Sequence, residues 1–599
     1  MKQHSPPEEL GDFTTDWRVI PISLLAIAIG LVGTVVAWAL LRLIGLFTNL
    51  FYYHRWNTAL VSPAGNSLGV WSILVPVVGS MLVGLMARYG SEKIRGHGIP
   101  EALESILIHG SRVEPRLAIL KPVSSAIAIG SGGPFGAEGP IIMSGGAFGS
   151  MIAQLFHLTS VERKTLLVAG AAAGMSATFA SPVAAVLIAV EVMLFEWKPR
   201  SLVPVALASV TAGAARRYIL GTGPLFPVPT HPVFIGPMGL AGCVICGLLA
   251  GALAALLTQA IYAVEDGFRK LPIHWMWWPA IGGLVVGLGG LIFPQALGVG
   301  YDTIGALLKG DVARSTILGI LLVKSVIWAV SLGSGTSGGV LAPLLMMGGA
   351  LGGMEAMFLP NLGAGFWPLV GMAAILGGAL RAPLTGIVFA LEVTHDVNML
   401  LPLLLASFLA YLFSVMLLKR SILTEKVARR GYHLSAEYAV DPLEILFVRD
   451  AMRTNLVAFP AGSTLEQVGA LLDVNHRPRG QFLYPVVSEA QRLLGVVTRA
   501  QLRKLLAEPE PTGRALSEFA RRPVVAYPDE PLRAVVYRMA ETGLTRFPVV
   551  DRGGEQRLLG IISLRDLLAA RTRSLAEERN RERVLRIRLP MLSKPKVTE

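Results

Sequence analysis

Charge is scarce in this chain and cysteine nearly absent. Only 16% of the 599 residues are charged against 53% hydrophobic, with a mean hydropathy of +0.58. That balance excludes a soluble enzyme and leaves an integral membrane protein. The two cysteines, Cys243 and Cys246, form a C-x-x-C inside the apolar run 234–263 with no second ligand pair. This excludes a zinc or redox site and any disulfide framework. The residues through Trp17 are polar and mildly acidic, with no basic n-region, so no cleaved signal peptide is expected. The apolar half offers no nucleophile, metal set or cofactor motif, and enzymatic activity is not expected. The net charge is +13; in a membrane chain this reads as cytoplasmic loops rich in Lys and Arg, not as a nucleic-acid partner.

What is there in quantity is glycine and proline, placed where they interrupt apolar segments. Val19 to Phe51 and Leu68 to Ala87 are long enough to span a bilayer. From Pro100 to about Leu418 the apolar segments become uneven and are cut repeatedly, as at Pro122, Pro140, Pro182, Pro204, Pro279, Pro294, Pro343 and Pro383. Broken or half-spanning helices of this kind belong to transporters and channels, whose sites lie where the breaks meet. The stretch Gly130-Ser-Gly-Gly-Pro-Phe-Gly-Ala-Glu-Gly-Pro140 is the richest break. Glycine lets backbone N–H groups converge, and Pro140 suits the first turn of the next helix, so this stretch predicts a helix N-terminus aimed at an anion. Glu138, a carboxylate at that place in a membrane, is a functional candidate.

The chain repeats itself. Gly130-Ser-Gly with Pro140-Ile-Ile-Met-Ser-Gly-Gly-Ala-Phe-Gly recurs as Gly333-Ser-Gly with Pro343-Leu-Leu-Met-Met-Gly-Gly-Ala-Leu-Gly, offset 343 − 140 = 203. Ala180-Ser-Pro-Val ending in Glu191-Val192 recurs as Arg381-Ala-Pro-Leu ending in Glu392-Val393, offset 383 − 182 = 201. Two ordered blocks at nearly one spacing imply similar halves related by a pseudo-two-fold, with the Gly-rich loops facing each other across one site.

Beyond Lys419 the composition turns soluble. Ser421 to Glu437 is a charged connector, and from Asp441 strand-like pieces (482–487, 494–498) alternate with amphipathic helical ones (464–475, 499–507). The module is copied by 546–550, 559–563 and 564–570, with offsets 548 − 485 = 63 and 560 − 495 = 65. The tail from Arg571 holds nine Arg or Lys against four Glu, the balance of a solvated helix near anionic lipid.

Four ordered signatures in the apolar half resemble the CLC chloride channels and anion/proton exchangers: Gly96-His-Gly-Ile-Pro-Glu101, Gly136-Ala-Glu-Gly-Pro140, Gly339-Val-Leu-Ala-Pro343 and Ser421-Ile-Leu-Thr-Glu-Lys426. The likeness covers roughly residues 19 to 430. It implies an anion path built from opposed helix N-termini, each worth about half a unit of positive charge, which hold a dehydrated anion without a full cation to trap it. By the resemblance Glu138 is the gating carboxylate, and His97, Gly98, Ile99, Gly136, Gly139, Val340, Leu341 and Leu423 line the anion sites. The soluble half resembles tandem CBS domains, which in other chains bind adenine nucleotides; Ser563 and Asp566 match that pattern, whereas Thr498 is followed by Gln501 in place of the acid.

Departures from the family pattern bear on mechanism. His97 stands for the inner serine, Leu341 for a phenylalanine, Leu423 for the inner tyrosine and Ala137 for a basic residue. Hydroxyl donors are therefore missing, and backbone N–H groups of Gly98, Ile99, Val340 and Leu341 are left to coordinate the anion. His97 is a candidate pH sensor for inward access, or simply a neutral imidazole giving one hydrogen bond. The proton-relay position of the exchangers is Val192, which cannot carry a proton. Neighbouring Glu191, about 100° round a helix, reads as structural, as does Glu392.

The resulting expectation is an α-helical integral membrane protein, a CLC-type inverted repeat of broken and tilted helices, followed by an α/β tandem CBS cytoplasmic domain. Its segments are 1–18, N-terminal and cytoplasmic; 19–420, membrane; 421–440, linker; 441–507, first CBS; 515–571, second CBS; and 572–599, basic tail. Val192 favours a passive voltage- or pH-gated chloride channel; the alternative is a coupled chloride/proton antiporter. A CBS-containing divalent-cation transporter is remote, because Gly-rich loops present N–H donors, the wrong polarity for a cation. The expected partners are chloride or a similar small anion, the bilayer of a prokaryotic plasma (cell inner) membrane and a second copy in a homodimer, without nucleic acid. No cofactor is required, although the CBS cleft offers a place for an adenine nucleotide.

Overall fold

The computed structural model describes residues 15–107, 110–430, 443, 446–474, 481–507, 515–554 and 556–579. The expected N-terminal segment up to residue 14, the part of the 421–440 linker from 431 on, residues 441–442 of the first CBS segment and the basic tail beyond 579 lie outside the described residues. The chain divides into two compact units, Met1–Glu437 and Tyr438–Glu599.

The first unit is helical. Its helices are α1 (Val19–Tyr53), α2 (Leu74–Tyr89), α3 (Ile99–Leu107), α4 (Leu117–Gly130), α5 (Glu138–Gln154), α6 (Ser160–Phe179), α7 (Pro182–Ile188), α8 (Pro199–Ile219) and α9 (Pro237–Arg269). There follow α10 (Trp278–Ile292), α11 (Tyr301–Lys309), α12 (Arg314–Gly319), α13 (Ser325–Gly333), α14 (Leu341–Glu355), α15 (Phe366–Leu380), α16 (Pro383–Thr394), α17 (Leu400–Leu417) and α18 (Ile422–Arg429). Among the described residues, six helical stretches are long and apolar enough to cross a membrane. Others, such as the 14-residue α4 and the 15-residue α15, reach only about 22 Å and cannot span the hydrocarbon alone.

Packing follows from small residues. On α1, Leu24, Leu31, Val35 and Trp38 are exposed along one face, a lipid-suited stripe, while Gly30 and Gly33 face inward. A Cβ on Gly30 would lie 2.6 Å from the Ala208 carbonyl of α8, and one on Gly33 2.8 Å from Ala173 of α6. Backbones meet at those points because no side chain stands between them. Cys243 and Cys246 are buried on the inner face of α9.

The repeat is visible in the backbone. Elements α4 to α8 correspond to α12 to α17, and the residues that open the second block adopt the same left-handed turn, Ala180 at φ 56° and Arg381 at φ 58°. Each turn ends one helix and aims the next, which starts on Pro182 or Pro383. The charged connector begins as helix α18, capped by Ser421, whose hydroxyl accepts the Thr424 N–H at 3.2 Å.

The second unit holds two copies of one small α/β motif: α19 (Val448–Ala451), β1 (Phe459–Pro460), α20 (Leu465–Val474), β2 (Leu483–Val487), β3 (Leu493–Thr498), α21 (Arg499–Leu506), α22 (Leu532–Thr542), β4 (Arg546–Val550), β5 (Leu558–Ser563) and α23 (Leu564–Arg579). The hairpins β2–β3 and β4–β5 are antiparallel and share one irregularity, at Val486/Val487 and at Val549/Val550. Each copy has its own core, one around Phe459, Val486 and Val497, the other around Leu532, Phe547 and Ile562.

Candidate functional site

The two Gly-rich loops meet. Gly136 N–H donates to the Gly339 carbonyl at 3.2 Å and Gly339 N–H to the Gly136 carbonyl at 2.9 Å, a two-bond bridge between the halves. The start of α3 joins them: Gly96 N–H donates to Thr336 O at 3.2 Å, and a Cβ on Gly98 or Gly139 would run into the other's neighbouring backbone. The N-termini of α3, α5 and α14 therefore converge, each with first-turn N–H groups that no intrahelical carbonyl satisfies. Only glycine permits this approach, since a side chain on Gly98, Gly136, Gly139 or Gly339 would occupy the meeting point.

Glu138, fully buried, places its carboxylate over Gly136 and beside Gly339, near the N–H of Ala342. Among the described residues neither carboxylate oxygen meets full hydrogen-bond geometry, and the backbone N–H groups of Glu138 itself and of Ala342 are its nearest donors. The buried ammonium of Lys324 acts on it electrostatically. Chemically, this is a carboxyl group set among helix starts, whose first turns favour negative charge.

The remaining expected residues divide. Ile99, Val340 and Leu341 are fully buried at the convergent helix starts. The Gly98 N–H departs from expectation: it donates to the Glu101 carboxylate at 2.8 Å, so it is not a free donor. Glu101 in turn pairs with Lys426 of α18 at 2.8 Å, which ties α18 to the start of α3. His97 is buried, and its Nδ1 has no hydrogen-bond partner among the described residues; the charges of Lys426, Glu101, Lys121 and Arg430 act on it. Leu423 is buried at the start of α18. Beside Lys426 lies a cavity of about 480 Å³ lined by Arg95, Arg269, Arg429, Arg430, Trp275 and Trp278 among others.

Val192 is buried in a π-helical turn, Ala189–Leu194, that prolongs α7. Glu191 reaches into the opposite half and accepts hydrogen bonds from Thr385, as expected of a structural residue. Two buried lysines escaped the sequence reading. Lys121 donates to the carbonyls of Ile94 and Gly96 and Lys324 to that of Gly298. Each is a lone charge in an apolar segment, and their separation, 324 − 121 = 203, is that of the Gly-rich blocks.

In the second unit, Ser563 and Asp566 do come together, but with each other. Asp566 Oδ2 accepts the Ser563 N–H and hydroxyl at 3.0 and 2.5 Å, and Oδ1 accepts Arg453 Nε at 2.7 Å. Thr498 caps α21 through the Gln501 N–H at 3.3 Å. The cavity at Ser563 and Asp566 measures about 90 Å³ and is also lined by Arg453, Arg546, Arg565 and Phe482.

The family model described as voltage gated chloride channel matches residues 78–415, and the CBS domain model matches 448–508 and 516–573. The chain belongs to the CLC family. It is 31% identical over 407 residues to a putative chloride channel protein ClcB-like of Ralstonia nicotianae, covering 65% of this chain and 92% of that protein. It is also 31% identical over 419 residues to the H(+)/Cl(-) exchange transporter ClcA of Yersinia pseudotuberculosis, covering 64% and 84%. Among solved structures, a slow cyanobacterial Cl-/H+ antiporter superposes with a TM-score of 0.61 at 22% identity over 70% of this chain and 99% of that one. A eukaryotic CLC transporter does so with 0.56 at 18% identity over 92% and 98%. This CLC chain is thus a multi-pass membrane anion transporter with the CLC fold and a C-terminal CBS pair.

Proposed function

We propose that the chain is a coupled chloride/proton exchanger in which Glu138 is the gate. The observation that carries this is the place of the Glu138 carboxylate, buried between Gly136 and Gly339 with neither oxygen hydrogen-bonded among the described residues. A dehydrated chloride and an ionised carboxylate compete for the same helix starts. Protonation removes the carboxylate's charge and lets the anion replace it, so proton uptake and anion movement share one step. The N–H groups of Ile99, Val340 and Leu341 line the path, with His97 and Leu423 toward the end where α18 begins. The basic cavity beside Lys426 concentrates anions at that mouth. Similarity to transporters named as exchangers favours this reading over the passive channel expected from the sequence.

A passive channel is the second reading, favoured by Val192, a residue that carries no proton. In an exchanger, protons must then reach Glu138 without a side chain at that position. The deciding measurement is the reversal potential of purified protein in bilayers under opposed chloride and pH gradients. A shift with the proton gradient means exchange; a value at the chloride equilibrium potential means a channel.

The working form is a homodimer with one path per subunit in a prokaryotic inner membrane, its CBS pair in the cytoplasm. There the pair acts as a docking platform.

A further inference from the structure

The two halves of the repeat build their entrances from the same parts and give them different chemistry. In the first half, Gly96 and Gly98, both at φ 90°, precede α3, and Lys121 is tied to the Gly96 carbonyl at 2.8 Å. In the second half, Gly298 and Gly300, at φ 64° and 81°, precede α11, and Lys324 is tied to the Gly298 carbonyl at 2.9 Å. The Gly298 N–H also bonds the first Gly-rich loop, at Gly132 O, 3.0 Å. The counter-charges then diverge. Lys121 has Glu101 in its own half, whereas the matching position in the second half, 303 − 101 = 202, is Thr303. The charged group acting on Lys324 is Glu138.

The residue matching Ile99 is Tyr301. Its ring lies edge-on to Phe179 and Phe226, with centroids 6.3 and 6.1 Å away, walls that offer its hydroxyl nothing. That hydroxyl is buried with no hydrogen-bond partner, and the charged group acting on it is again Glu138. Among the described residues the tyrosine hydroxyl and both carboxylate oxygens are left without a hydrogen bond, and the ammonium that spends one donor on Gly298 lies against Gly300, the residue before Tyr301. Buried groups of this kind are ordinarily paired, so the arrangement is one state of a site that pairs them in another.

The geometry points to Tyr301 and Lys324 as the dock that receives the Glu138 carboxylate when it leaves the anion's seat. Tyr301 is a positioning residue: its hydroxyl donates to the displaced, ionised carboxylate while Lys324 keeps that charge company. An ionised gate can therefore stand open, and anion flux persists where the carboxylate is unprotonated. This rests on Glu138 being the gate. The groups facing that carboxylate are Lys324, Tyr301 and the backbone N–H at Ala342; the remaining neighbours of Tyr301 named above are apolar.

The test is chloride efflux from proteoliposomes at about pH 8 and about pH 4, on either side of the usual carboxylate range. Tyr301→Phe removes one hydrogen bond to a charged group, so flux at the alkaline pH falls about tenfold while acid flux stays at the wild-type level. Lys324→Gln shows the same alkaline loss, and in a Glu138→Gln background Tyr301→Phe has no effect. Equal losses in both backgrounds, or unchanged alkaline flux in Tyr301→Phe, overturn the dock and leave the gate standing. A Glu138→Gln protein that still responds to pH overturns the gate itself and the dock with it.

Discussion

Glu191 accepts the Thr385 N–H at 2.9 Å and the Thr385 hydroxyl at 2.6 Å, across 194 residues of chain. Glu392 answers from the other half, taking the N–H groups of Val183 and Ala184 at 2.9 and 2.8 Å. Helices α7 and α16 each begin with proline and have no side-chain cap of their own, so each half caps the other's helix. The consequence is structural. Glu191→Gln and Glu392→Gln each lower unfolding stability by about 1–3 kcal/mol, read as a lower melting midpoint in detergent. Glu191→Gln leaves the reversal potential under a proton gradient at the wild-type value; a shift there would make Glu191 part of proton transfer.

The gate makes a second prediction. If Glu138 blocks while its ionised carboxylate sits in the anion's seat, and protonation makes it leave that seat more readily, flux rises as external pH falls through the titration of that single group. Glu138→Gln and Glu138→Ala both conduct at a rate independent of pH between about 4 and 8. Retained acid activation in either protein would remove the role assigned to this residue.

Much of this was legible because glycine and proline mark where backbone must approach backbone. The blocks at Gly130 and Gly333 announced the bridge between Gly136 and Gly339, and Glu138 stood out as a carboxylate beside them. Glu191 was read as structural from its angular separation from Val192. The Gly98 N–H was misread because Glu101, three residues on, turns back to cap its own helix start, a local competition that a list of donors does not reveal. Lys121, Lys324 and Tyr301 were missed for another reason. A lysine tethered to carbonyls and a tyrosine among phenylalanines gain meaning only from what they face after folding.

His97 supplies a third prediction. If the inner anion site lies here, a rigid imidazole whose Nδ1 has no partner among the described residues stands where the resembled family carries a short, rotatable hydroxyl. His97→Ser restores that donor, and chloride affinity measured by calorimetry rises roughly threefold to tenfold, the worth of one neutral hydrogen bond. Weaker chloride binding in His97→Ser would show that the imidazole, not the backbone, holds the anion there.

The CBS pair carries a fourth. Asp566 already spends both carboxylate oxygens on Ser563 and Arg453, and the adjoining cavity of about 90 Å³ falls short of the roughly 300 Å³ at which ligand pockets begin. Titrating ATP into the full chain therefore yields no saturable heat. Saturable binding that Asp566→Ala abolishes would return the Ser563–Asp566 pair to nucleotide recognition.

The last prediction concerns Gly339, where close approach and not backbone angle demands glycine. A Cβ there would lie 2.5 Å from the Gly136 carbonyl, 2.9 Å from the Gly139 nitrogen and 3.0 Å from the Glu138 carboxylate. Two of these atoms are backbone held by the bridge between halves, so the carboxylate, at the end of a side chain, is the atom able to give way. Gly339→Ala therefore costs stability by about 1–3 kcal/mol and, in the protein that folds, displaces the gate. Its flux at alkaline pH exceeds that of wild type and responds weakly to acid. Gly462→Ala, where a Cβ meets nothing within 4 Å, serves as the control and changes neither quantity. A Gly339→Ala protein with wild-type pH dependence would mean that the carboxylate does not occupy the space between the two Gly-rich loops when the transporter works.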